Sequence, residues 1–166
     1  MKITLSNINS KIIEDYSNYE NDDVVTILSD VCKQIDTLGL ATLDFFFQAD
    51  DKVFCNVNFT YDFTSIATEL LDLIDWLEYP GNTDFFCLYF YELKRKIVFS
   101  YKDKDLLQYK IIKDKDSTII NSNTIIKSRL FLLTKKVIEN FYSLLARNFP
   151  KATQIFIQED FLLIQE

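Results

Sequence analysis

Between Thr83 and Lys113, three runs rich in Phe, Tyr, Ile and Val (Asp84 to Tyr91, Arg95 to Tyr101, Leu106 to Lys113) are separated only by short charged turns. Such side chains suit a pleated, half-buried surface, and separations this short fit antiparallel hairpins. The stretch therefore predicts a three-stranded meander. In its first run both alternating sets are apolar: Phe85, Cys87, Tyr89 and Tyr91 on one side, Phe86, Leu88 and Phe90 on the other. A strand apolar on both faces is expected to be covered on both, which would make this one central in its sheet.

The remaining chain supplies a second set of strands and the helices. Residues 2–5 read as an edge strand and residues 6–21 as a polar loop or weak helix. Val24, Leu28, Val31, Ile35 and Leu38 recur at helical spacing, with Asn21 or Asp22 as N-cap and Gly39 as the C-terminal stop. Leu43 to Gln48 and Val53 to Phe59 predict a hairpin around residues 49–52. A second helix follows, capped by Asp62 or Thr64, with Ile66, Leu70, Leu73, Ile74 and Leu77 as its buried stripe and Pro80-Gly81 as its end. After the meander, residues 114–123 read as loop. A third helix spans about Thr124 to Asn148, and Thr153 to Ile157 reads as a last strand before an apolar tail, Phe161 to Ile164. The expected architecture is one α+β domain over residues 1–166: a mostly antiparallel sheet, built from the hairpin and the meander, with about three helices packed on it.

A chain of 166 residues, nearly half of them apolar, can bury a sizeable core. It contains no histidine, which removes the commonest general base and the commonest metal ligand. Cys32, Cys55 and Cys87 sit far apart in apolar patterns and read as buried, reduced thiols of a cytosolic protein. No loop has the glycines that cradle phosphate, and the Asp-x-Asp spacings of the Lys-Asp-Lys-Asp turns lack the other ligands of a calcium loop. The expectation is a protein that is not an enzyme and holds no cofactor or metal. Nothing in the chain is apolar for long enough to span a bilayer, and the N-terminus lacks the core of a signal peptide.

Charge is divided unevenly. Residues 1–93 hold 17 acids against 4 bases, a net of −13, and residues 94–166 hold 8 acids against 14 bases, a net of +6. An acidic surface and a basic one are expected. On a helical wheel the second helix carries Glu69, Asp72 and Asp75 away from its apolar stripe, and Trp76, the sole tryptophan, falls among them. Asp62, Glu78 and Asp84 would widen the patch. Such carboxylates are often only a solvated face, with the Trp folded back over the helix end. The sharper alternative is an aromatic anchor ringed by acids, fitted to a basic partner. Arg129, Lys136 and Arg147 form a basic stripe on the third helix, but the overall acidity argues against nucleic acid as the ligand.

This small, acidic, aromatic-rich α+β chain, with its Asp72/Asp75/Trp76 helix and aromatic meander, resembles the immunity proteins of bacterial toxin–immunity systems such as contact-dependent growth inhibition. The resemblance is one of overall character. It implies a cytoplasmic, monomeric protein that neutralises one cognate toxin, basic and nuclease-like, by covering its active site or a neighbouring surface. Two other readings remain: a phage-encoded inhibitor whose carboxylates mimic phosphates along a groove, and a structural subunit that associates through its apolar tail or an exposed sheet edge.

Overall fold

The computed structural model describes residues 2–7, 19, 22–46, 53–79, 81 and 83–161. These form two antiparallel sheets and four helices, an α+β fold. The first sheet has the order β1-β2-β3, from Lys2–Asn7, Ala41–Phe46 and Val53–Val57. The second has the order β4-β5-β6-β7, from Phe85–Phe90, Arg95–Tyr101, Leu106–Lys113 and Ile119–Ile126. The expected hairpin and meander are thus present, but on separate sheets. The turn at residues 49–52 and the tail 162–166 lie outside the described residues, as do most of residues 6–21.

Helix α1, Val24–Leu38, is capped one residue later than the pattern suggested, by Asp23, whose carboxylate accepts the Thr26 N–H at 2.8 Å. Gly39 ends it in the left-handed region at φ 59, where a Cβ would be strained. A π-helical turn, Phe59–Phe63, leads into α2, Thr64–Glu78. Asp36 joins α1 to that turn. One oxygen accepts the Phe59 N–H at 3.1 Å, and the other accepts the Thr60 N–H and hydroxyl, each at 2.6 Å. A carboxylate near a helix C-terminus opposes the helix dipole, so tertiary contact and not helix propensity explains its place.

Helix α3, Lys127–Asn148, packs against α2, β1 and the last helix. Phe141 on α3 meets Phe63 at 4.6 Å between ring centroids, and Phe63 meets Phe59 at 4.9 Å. The fourth helix, α4, spans Pro150–Gln158, where a strand was expected. Pro150 needs no amide donor at the first helical turn, and Ala152, Thr153 and Phe156 bury a face at helical spacing. Local β propensity in Thr153 to Ile157 yields to that packing. The tail does pack at its start, where Phe161 lies 5.3 Å from Phe156 and its carbonyl accepts the Tyr142 hydroxyl.

Two expectations about the meander fail. Part of the stretch read as loop is strand β7, because the free edge of β6 supplies backbone partners to a polar sequence. β4 is also an edge strand, not a central one. Its inward set does enter the core with Leu88 and Phe90, beside Ile97, Phe99, Leu107, Tyr109, Ile111 and Ile125. The other set lies on an open face, with Phe85 exposed and Cys87 and Tyr89 half-buried. Helix α2 covers the strand laterally. Glu69 accepts the edge N–H of Tyr89 at 3.0 Å, and Asp62 accepts the N–H of Glu92, in the turn after β4, at 3.0 Å. Two carboxylates thereby satisfy donors that a bare edge and its turn would leave open.

Candidate protein-binding surface

The buried arc of α2 runs from Ile66 through Leu70, Leu73 and Leu77, and it extends to Trp76. Trp76 was expected on the polar side; it is instead only 6% exposed. Its indole N–H donates to the Thr83 carbonyl at 3.1 Å, and its ring lies 4.8 Å from Tyr101 and 5.9 Å from Phe86. A helical wheel places Trp76 beside Glu69, at the margin of the apolar stripe. The margin becomes interior because β4 and its leading loop lie along that flank. Trp76 is therefore core, not an exposed anchor.

The predicted acids separate by the same boundary. Asp62 is 1% exposed, and Glu69 is half-buried against β4. Burial pushes both carboxyls above the ordinary range, opposed in each by the backbone N–H it accepts. These two are engaged with backbone donors of β4 and the turn after it. Asp72, Asp75, Glu78 and Asp84 are exposed. The outward stripe of α2 reads Thr68, Asp72, Asp75 and Tyr79, at i, i+4, i+7 and i+11.

Two exposed aromatics that the sequence reading did not single out flank these acids. Tyr79, just past the helix, is 80% exposed, and Phe85, at the start of β4, is 58% exposed. The bond from Trp76 to Thr83 holds the residue before Asp84 and Phe85 against the C-terminal turns of α2. A cavity of about 470 Å³ opens beside them, between Leu77 and Glu78 of α2, Asp105 of the β5–β6 turn, and Ile126, Lys127, Ser128 and Phe131 at the start of α3. The exposed residues here are thus four carboxylates and two large aromatic rings, and the cavity that takes in Glu78 is mostly apolar. Aromatic side chains supply contact area on binding, and charges steer association.

The other candidate chemistries find no geometry among the described residues. No group of three or more Cys, Asp or Glu is placed to hold a metal ion. Cys32 is buried, and desolvation pushes its thiol up to about 12, which suppresses the reactive thiolate. Cys87 is only half-buried, so the expectation of a core thiol is too strong there; its thiol is also raised by burial. The Cys55 side chain lies outside the described residues. Arg129, Lys136 and Arg147 are exposed along α3. No helix among the described residues is long and apolar enough to cross a membrane. No protein-family model matches the chain, and neither a curated protein nor a solved structure does.

Proposed function

We propose that this protein is a cytoplasmic immunity-type inhibitor that binds a basic, nuclease-like toxin domain and neutralises it by stoichiometric occlusion. The observation that carries the reading is that Asp72, Asp75 and Glu78 of α2 are exposed together with Tyr79, and that Asp84 and Phe85, next to the Thr83 held by Trp76, are exposed too. Carboxylates there meet lysines and arginines that otherwise hold substrate phosphates, and Tyr79 and Phe85 take the anchoring role first expected of Trp76. The presence of three of these acids on one helix, and not along a groove, favours occlusion of a protein site over mimicry of a nucleic-acid backbone.

The test is capture from the native cell, with wild-type protein and an Asp72→Lys/Asp75→Lys variant as baits, at low and high salt. The expected result is a basic protein held by wild type at low salt, released by added salt and lost from the variant, whose toxicity on expression is relieved only by wild type. Equal capture and equal protection by both baits would overturn the reading, since neither charge nor this helix would then matter.

A further inference from the structure

The second sheet has two edges, β4 and β7, and among the described residues side chains from another element meet only the first. At β4, Glu69 accepts the outward-facing Tyr89 N–H, and Asp62 accepts the Glu92 N–H in the turn that follows. At β7, no described residue pairs with the outer side. The direction of each β7 amide follows from its pairing with β6. Lys127 donates to the Asp105 carbonyl at 2.9 Å, which continues the Leu106↔Ile126 register and turns the N–H groups of Asn121, Asn123 and Ile125 inward. Those of Ser122 and Thr124 therefore face out. The Thr124 N–H is met only by the side-chain oxygen of its own neighbour, Asn123, at 2.8 Å.

Open edges normally carry charge or proline as a guard. Residues 117–126, Ser-Thr-Ile-Ile-Asn-Ser-Asn-Thr-Ile-Ile, carry neither. Ile119 and Ile126 are also exposed, at 53% and 56%. We propose that this edge pairs antiparallel with the same edge of a second copy, about a two-fold axis at Asn123, to make one continuous eight-stranded sheet. The parity of the outward amides requires an axis through a residue, and an axis at Asn123 sets Ser122 opposite Thr124 twice. Each such pair exchanges two backbone hydrogen bonds, and Ser–Thr pairs are favourable neighbours across strands. The uncharged strand brings no like charges together at the seam. The flanking charges do not oppose the pairing, because the net-neutral Lys113-Asp114-Lys115-Asp116 end of one strand approaches the Lys127 and Arg129 end of the other. The proposal uses the backbone of β7 and none of the α2 acids, and it shares only Ile126 and Lys127 with the cavity beside them.

Sedimentation velocity of the full chain over a range of concentrations tests it, with circular dichroism to confirm folding. Wild type is expected to dimerise. Thr124→Pro removes an outward donor that the β6–β7 ladder does not use, and it is expected to give monomer. Ser122→Lys/Thr124→Lys keeps the backbone and opposes like charges across the seam, so it serves even where the proline variant fails to fold; it too should be monomeric. Asn123→Cys places a thiol at a close non-hydrogen-bonded pair, within disulfide reach of its copy, so mild oxidation should cross-link it while Asn121→Cys dimerises without a cross-link. Wild type that remains monomeric, a dimer that survives the lysine variant, or an Asn123→Cys variant that does not cross-link would each overturn the proposal.

Discussion

Replacing Trp76 by Ala separates a core role from a docking role. The indole is 6% exposed, touches Phe86 and Tyr101, and donates one hydrogen bond to Thr83. Truncating a buried Trp to Ala costs about 3–5 kcal/mol, because transfer energy is lost and a cavity is left. The Thr83 carbonyl adds little, since Thr83 is exposed and its oxygen can turn to water. Against a total stability of about 5–15 kcal/mol, a loss near 4 is a large fraction. At about 2–4 °C per kcal/mol for a chain of this size, the Tm should fall by about 8–16 °C. Trp76→Phe keeps the ring stacking and should cost about 1–2 kcal/mol. Asp72→Lys, on the exposed stripe, should stay within about 0.5 kcal/mol. The assay is urea unfolding followed by circular dichroism, since the variants remove the only tryptophan. A loss below about 1 kcal/mol for Trp76→Ala would refute the reasoning and return Trp76 to the surface.

Asp36→Ala should destabilise by about 2 kcal/mol, because two amides and a hydroxyl of the π-helical turn lose their acceptor; an unchanged urea midpoint would mean that water replaces the carboxylate at no cost. Asp62 and Glu69 predict a pH dependence whose sign follows from burial. Their folded-state pKa values are raised, so the fold keeps their protons where the unfolded chain has released them, and both are least favourable to the fold when ionised near pH 7. The contribution of this pair should improve as pH falls from the raised folded values toward the ordinary carboxylate range near 4. Asp62→Asn, which removes the buried charge and keeps an acceptor for Glu92, should therefore compare better with wild type at pH 7 than at pH 4. The opposite order in urea midpoints would show that the carboxylate is stabilised as an anion.

Much of this molecule can be read from short-range pattern alone. Period-3.6 spacing and Gly39 placed α1, the stripe from Ile66 to Leu77 placed α2, and the aromatic runs placed β2 to β6, because each element depends on residues only a few positions apart. The exclusion of histidine chemistry and the uneven division of charge are likewise properties of composition. Tertiary contact decided the rest. Trp76 lies at the margin of a wheel, and only the passage of β4 along that flank makes it interior. Asp62 and Glu69 are indistinguishable in sequence from Asp72 and Asp75, yet the β4 edge claims Glu69, the turn after it claims Asp62, and the others are left to solvent. β7 is polar enough to read as loop and becomes a strand because β6 offers it a ladder. Residues 153–157 favour strand locally, but Pro150 and the buried face of Ala152, Thr153 and Phe156 make them helix. In each case local propensity differs by a fraction of a kcal/mol per residue, and the burial or backbone pairing supplied by a distant segment is larger.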